Sequence, residues 1–396
     1  MMKSIFTKRL LSLLAIAVTG FTCPAFAIDL LELPAIQSGA ASRTLLMDVT
    51  SRGDGAVAAV GSHGVVIISN DEGASWTQAA VPASVALTGV AFPTPESGWA
   101  VGHDGLILNT IDGGKTWQKQ LDGHQLNEQI LVVAERIVAQ SRSELEAIQS
   151  QEEPDEYELE DAEFMLEEAE FMLEGAVDDT AAGPVRPLLD VWFRDAQEGF
   201  VTGSYGMLLH TTDAGENWEL VSDRMDNPEA FHLNQFTPAP DGNLYIAGEA
   251  GFVFRSRDGG ASWDSLEPGY EGSFYGVVVI PDSNGGYELL VYGLRGNLFS
   301  STDQGDTWTS LDSGTAATLM SGALLKDGTV MLVSQSGAIL TRGPGEQSFS
   351  PAKNPDRRPV VGLQQMESGN ILMVGLGGVR ITDAAGAPLS SASENQ

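Results

Sequence analysis

Residues 98–117 read Gly98-Trp99-Ala100-Val101-Gly102-His103-Asp104-Gly105-Leu106-Ile107-Leu108-Asn109-Thr110-Ile111-Asp112-Gly113-Gly114-Lys115-Thr116-Trp117. An apolar strand runs into a Gly-x-x-Gly step, a second apolar strand follows, and a Thr-x-Asp-x-Gly-x-x-Trp turn closes the unit. Glycine takes the positive φ that such corners need. The Asp carboxylate can accept backbone N–H groups across the turn, and the Trp then lays a large flat surface under the next strand.

The unit recurs along the chain. Gly-x-x-Gly steps stand at Gly61/Gly64, Gly102/Gly105, Gly203/Gly206, Gly248/Gly251, Gly293/Gly296 and Gly375/Gly378, with the variant Ser334-Gln335-Ser336-Gly337 between the last two. First positions are 41, 101, 45, 45, 41 and 41 residues apart, so the long interval is one ordinary spacing plus an insertion. Five units carry the Asp turn, the Asp-box or BNR repeat, with Asp71, Asp112, Asp213, Asp258 and Asp303 paired to Trp76, Trp117, Trp218, Trp263 and Trp308. Units six and seven keep only remnants. Short strands at this spacing, repeated through seven units, predict an all-β chain, a seven-bladed β-propeller of four-stranded blades. In the second unit the expected strands are Leu87–Phe92, Gly98–Val101, Leu106–Asn109 and Trp117–Gln120. Unit seven lacks a clear fourth strand, and the strand-like Ile28–Leu33 is expected to complete it and close the ring. The expected propeller segments are residues 28–123, carrying that strand and blades one and two, and residues 188–386, carrying blades three to seven. Residues 387–396 read as a disordered tail.

The chain has 54 acidic and 21 basic side chains, a net charge of −33. That sign excludes nucleic-acid and anionic-membrane binding, which call for Lys and Arg. A single cysteine, Cys23, excludes a disulfide framework and a thiolate zinc site. The start combines Lys3, Lys8 and Arg9, an apolar run from Leu10 to Val18, and Ala25-Phe26-Ala27. These features spell a secretory signal cleaved after Ala27, with lipidation at Cys23 as the weaker reading because Gly20-Phe21-Thr22 is a poor lipobox. Losing residues 1–27 removes those three bases and takes the charge to −36. No later segment is long and apolar enough to span a bilayer, so a monomer in the periplasm or outside the cell is expected.

The insertion, residues 124–187, reads as an acidic helical hairpin between blades two and three. Gln129–Gln149 shows a helical stripe of Ile130, Val133, Ile137 and Leu145. A tandem heptad follows, Ala162-Glu163-Phe164-Met165-Leu166-Glu167-Glu168 and Ala169-Glu170-Phe171-Met172-Leu173-Glu174-Gly175. Ser143 to Asp179 holds 16 acids and no base. Links between blades emerge on the same face as the Gly-x-x-Gly turns, so the hairpin should rise beside a mouth ringed by His63, His103, Asp104, Tyr205, Glu249, Arg295 and Gln335. These residues break the repeat's symmetry and are the candidate partner contacts, with Phe164, Met165, Phe171 and Met172 of the hairpin. The Asp-box residues recur by symmetry, so a structural role is assigned to them. No catalytic residue, cofactor site or metal site is read. Histidine spacing suits no metal, no Asp-x-Asp-x-Asp-Gly calcium loop occurs, and neither a nucleophile elbow nor a phosphate loop is present.

Seven units of strand, Val-Gly-x-x-Gly, strand and Ser-x-Asp-x-Gly-x-Ser-Trp, as in Gly98–Gly105 running to Asp112–Trp117, resemble the photosystem II stability/assembly factor family. The resemblance spans Ile28 to about Gly386 outside the insertion. It implies a non-enzymatic propeller beyond the inner membrane that binds a protein partner, a membrane complex or transporter. Photosynthetic members meet their client through an arginine-rich surface, whereas Arg194, Arg255, Arg257 and Arg295 are scattered here. The alternative is an Asp-box glycoside hydrolase of sialidase type. Asp104, Tyr205 and Glu249 would then supply an acid and a Tyr–Glu pair, but the Arg-Ile-Pro opening is absent and sialidases have six blades.

Overall fold

The computed structural model describes residues 28–352 and 357–389. Seven antiparallel sheets follow one another along the chain, six with four strands and the last with three, each a simple meander. In blade two the strands are Leu87–Ala91, Gly98–Gly102, Ile107–Thr110 and Gln118–Leu121, within a residue or two of expectation. The innermost strands stand side by side around an axis, and the Leu46–Gly53 strand of blade one packs against Val360–Gln365 of blade seven. The result is a seven-bladed propeller.

Its core lies between blades. The second strand of each blade is apolar on both faces because each face meets a neighbour. Val60 packs toward blade two with Val66, Leu87 and Ala100, while Val57 and Ala59 pack toward blade seven with Leu372 and Val374. Burying such side chains stabilises by roughly 1.5–3 kcal/mol each.

Every innermost strand carries a bulge at its start, so its third residue points across to the next blade. The residues there are Asp48, Gly89, Asp190, Gln235, Gly276, Ser321 and Gly362. Innermost strands have no ladder partner on the axial side, so their N–H groups need acceptors. Asp48 Oδ1 accepts from its own Val49 N–H at 2.8 Å and Oδ2 from Val90 of blade two at 2.9 Å. Asp190 repeats this with Val191 and, on blade four, Phe236. Gln235 accepts from Val277 of blade five. Where Gly276 supplies no side chain, Tyr292 reaches in from the second strand, donates to Gln235 and receives the Gly322 N–H. The two carboxylates lie on the axial side of the innermost strands and are partly buried. Loss of solvation pushes Asp48 up to about 7, with the nearby Asp190 charge adding to it, and pushes Asp190 up to about 6.

Ring closure differs from the expectation. Ile28–Leu33 forms no strand on blade seven. Leu31 is instead buried between blades one and two, and Leu30 O accepts the Ser84 N–H. Asp29 pairs with His124 in the inserted stretch just after blade two and Glu32 with Lys119 on that blade's last strand, which holds the segment there. Blade seven gains only a rudiment of a fourth strand from its own downstream residues, a bridge between Thr382 and Pro388. Pro388 belongs to the stretch, residues 387–396, expected to be a disordered tail. Residues 1–27, with the expected signal and Cys23, and residues 390–396 lie outside the described residues.

The insertion is two helices, α1 (Gly123–Gln149) and α2 (Glu156–Ala182). Helix α1 starts six residues before Gln129 because Asp122 and Gln125 form a reciprocal capping box. Asp155 caps α2, which ends at Gly183 with φ +94°. The seam between them is a heptad of small and aliphatic side chains, with Ala134, Val138 and Ser141 opposed by Ala162, Ala169 and Ala176 and flanked by Leu159, Leu166 and Leu173. The stripe expected on α1 splits in two. Ile130 turns down with Leu126 into the core between blades two and three, while Val133, Ile137 and Leu145 are only partly buried.

Candidate partner-binding face

Each Gly-x-x-Gly step places its third residue in the left-handed region. His63, Asp104, Tyr205, Ala250 and Arg295 all have φ between +54° and +58°. For side chains of this size the conformation is uphill by about 1 kcal/mol. Its repetition in five blades makes it a demand of the architecture rather than of one site. The turn aims these side chains outward, and His63, Tyr205 and Arg295 are exposed. His103, Glu249 and Gln335 occupy the second position of their turns, a different direction from the same corner.

The hairpin stands on this face. Gly105 lies so close to the start of α1 that a Cβ there would come 2.7 Å from Gly123 Cα. Asn127 Nδ2 donates to the carbonyls of Asp179 and Gly183, clamping the two helix ends. Asp104 sits beside His103, His124 and Asp29 at the root of α1; partial burial raises its pKa and the His103 charge opposes that.

A second line of contacts runs from α2 across blades three and four. Arg186 donates through Nε to Asp179 Oδ2 at 2.9 Å, and its guanidinium lies 5.0 Å from the Tyr205 ring centroid. Tyr205 meets His232 edge-on at 5.2 Å, and its N–H donates to His232 Nδ1. His232 in turn stands 3.2 Å from Glu249 Oε2. The structure thus brings Tyr205 and Glu249 into one chain of contacts and gathers His103 and Asp104 at the hairpin root. His63 and Arg295 stand apart on their own turns, with no ion pair among the described residues. Tyr205 and Glu249 are joined through His232, not to each other, so the pair a sialidase-like site requires is not formed.

Sequence reasoning missed Arg186, His232 and Asp179. Arg186 and His232 lie outside the Gly-x-x-Gly steps, in the links before and after blade three. The available signal was their position: every such link passes over a Gly-x-x-Gly corner. Phe164, Met165, Phe171 and Met172 are exposed on α2, facing away from α1.

The Asp-box turns occupy the opposite face, and their carboxylates are consumed within them. Asp258 Oδ1 accepts from Ser262 N and Ser256 Oγ, and Oδ2 from Ser262 Oγ at 2.6 Å. The Ser262 hydroxyl, then its N–H, hold Asp258 at about 2; Thr307 does the same for Asp303. Trp76 and Trp117 each donate an indole N–H back to a glycine carbonyl of the box. Three of the scattered arginines are also neutralised on this side. Arg255 and Arg257 pair with Asp264 and Asp306, and Arg194 with Glu198. Among the described residues no group of three or more His, Cys, Asp and Glu is placed to hold a metal.

The sequence profile of the family described as photosynthesis system II assembly factor YCF48 matches residues 74–136 and 181–392. The chain belongs to this family. The two matched stretches flank the hairpin and leave out most of it. A photosystem II assembly lipoprotein Ycf48 from Synechococcus sp. (strain CC9902) is 37% identical over 93 residues, 23% of this chain and 26% of that protein. A chloroplastic photosystem II stability/assembly factor HCF136 from Cyanidioschyzon merolae (strain NIES-3377 / 10D) is 44% identical over 48 residues, 12% of this chain and 11% of that one. The chain thus matches about a quarter and about a tenth of the length of these relatives. Among solved structures, YCF48 bound to a D1 peptide superposes with a TM-score of 0.59 at 14% identity, covering 90% of this chain and 98% of that one. A streptogramin B lyase gives 0.58 at 11% identity, covering 85% and 93%. At these identities both structures speak for the fold alone. No helix among the described residues is long and apolar enough to cross a membrane.

Proposed function

We infer that the protein is a non-enzymatic, exported scaffold that binds a protein partner through its Gly-x-x-Gly face and the hairpin standing on it, in the service of a membrane complex on its outer side. One observation carries the reading: Asp179, Arg186, Tyr205, His232 and Glu249 make an unbroken line from the hairpin to blades three and four. A hairpin held this way presents one surface with the mouth rather than swinging as an appendage. Membership in the assembly-factor family and the structural likeness to a relative solved with a D1 peptide support a protein ligand. The signal read at residues 1–27 supports export. Partner recovery from a solubilised membrane fraction tests this, comparing the intact protein with one lacking residues 127–180. Recovery of a membrane-complex subunit by the intact protein and its loss on deletion are expected. Equal recovery would remove the hairpin from the binding surface.

A further inference from the structure

The heptad of α2 assigns its residues to two opposite jobs. Leu159, Ala162, Leu166, Ala169, Leu173 and Ala176 face α1, while the intervening apolar residues face solvent. Tyr157, Phe164 and Phe171 stand seven residues apart, so they fall nearly above one another at 3.6 residues per turn, with Met165 and Met172 alongside. Their exposures are 84%, 57%, 73%, 53% and 50%. Together they leave on the order of 500 Å² of apolar and aromatic surface open, with the exposed carboxylates of Asp161 and Glu168 standing among them on the same face. Helix α2 packs chiefly against α1, and the exposures themselves show that nothing among the described residues covers these side chains.

Charge decides what can. Glu160, Glu163, Glu167, Glu170 and Glu174 run along one flank of the stripe, in a span whose 16 acids have no base among them. Of these flanking acids only Glu170 has a cationic partner among the described residues, Arg142 of α1. A second copy of the hairpin would set carboxylate against carboxylate, and an anionic lipid surface would be repelled. We propose that the outer face of α2 docks a basic amphipathic helix, whose apolar side covers Phe164, Phe171 and the two methionines and whose Lys or Arg side chains meet the glutamate flank. This deepens the scaffold reading above, on which it rests, by giving the hairpin's partner a chemistry. Methionine beside aromatic rings suits a surface that accepts helices of differing sequence, since the thioether adapts its shape. The partner helix spans about 22 Å, the distance from Tyr157 to Met172 at 1.5 Å per residue.

The probe is a synthetic Leu/Lys peptide of roughly 16 residues patterned with helical period, enough to cover that length. Binding to the full chain is followed by fluorescence anisotropy. The paired substitution Phe164→Ala and Phe171→Ala keeps every charge and leaves the α1 seam intact, and an unchanged melting temperature verifies that. Binding is expected to weaken at least tenfold in this variant, and also at high salt. A scrambled peptide of the same composition is expected to bind at least tenfold more weakly. Equal binding by the variant, or by the scrambled peptide, would reduce the effect to diffuse charge attraction and overturn the proposal. Sedimentation showing a dimer that the Phe164/Phe171 variant dissolves would overturn it in favour of self-association. The peptide assay needs no natural client, so its failure leaves the membrane-fraction experiment to judge the scaffold reading separately.

Discussion

Asp48 on blade one holds the N–H of Val90 on blade two, a 2.9 Å bond across a boundary that no sheet ladder spans. With Asp190 and its bond to Phe236, it stitches the axial wall of the ring, adding to apolar packing and to main-chain bonds farther out such as Ala80 N–H to Lys115 O and Trp117 N–H to Ala80 O. Loss of solvation there lifts Asp48 to about 7 and Asp190 to about 6, well above a free carboxylate.

Stability therefore depends on pH near neutrality. The folded state binds protons more tightly than the unfolded chain at these two sites. The charge penalty is absent below the unfolded value near 4, grows as pH rises and is complete above about 7. Urea unfolding should show a higher midpoint at pH 5 than at pH 7.5. Asp48→Asn should flatten that difference and cost about 1–3 kcal/mol at pH 5, because its amide opposes an N–H with an N–H. A profile equally steep in the variant would place the titration elsewhere.

The Asp-box acids have the opposite sign. Asp258 and Asp303 are held at about 2, so their contribution is present above the unfolded value near 4 and is lost as pH falls toward 2. Asp258→Ala should lower stability by about 1–3 kcal/mol at pH 7 and by almost nothing at pH 2. Since Asp112 lies two blades away, Asp112→Ala combined with Asp258→Ala should be additive in thermal unfolding.

Arg186 ties the hairpin to blade three through Asp179 and the Tyr205 ring. Arg186→Ala should leave the melting of the propeller within about 0.5 kcal/mol of the parent and loosen α2 from its root. Hydrogen exchange read by mass spectrometry should rise several-fold over residues 123–182 and stay unchanged in blades four to seven. Uniform acceleration across the chain would assign Arg186 to the global fold instead.

Blade six has lost its Asp-box, and Arg342 there forms a two-point ion pair with Glu288 of blade five. Arg342 is buried and Glu288 largely so. Glu288→Gln leaves the guanidinium without its counter-charge and should cost about 3–5 kcal/mol. The double variant Arg342→Met with Glu288→Leu should recover much of that loss. A denaturation series on the three proteins distinguishes a charge left unpaired from lost volume.

Blade number, strand positions and the site of the insertion were legible because the repeat writes them seven times. The closing strand was misplaced because Ile28–Leu33 has strand-like spacing, while its fate is set by Lys119 and His124, nearly a hundred residues downstream. The α1 start was missed for a local reason, the unread Asp122/Gln125 capping box. At the mouth, the repeat located His63, Asp104, Tyr205 and Arg295 on their corners. It was silent on the residues that connect them, since His232 and Arg186 lie in links whose sequence does not repeat. The axial acids were invisible for a related reason: Asp48 and Asp190 share their position with Gly89, Gly276 and Gly362, so no pattern marks it.

Among the described residues no strand is exchanged between blades one and seven, and that has a mechanical consequence. Each described blade is made of consecutive residues, and blades one and seven are held together by apolar contact and by single bonds such as Val379 N–H to Ser42 O and Ser368 N–H to Glu72 Oε1. Such a ring behaves as a split washer: tension on its ends should part the join between first and last blades while every sheet stays whole. During synthesis the early blades can form in turn as they emerge, leaving the final lateral docking as the one step that waits for the whole polypeptide.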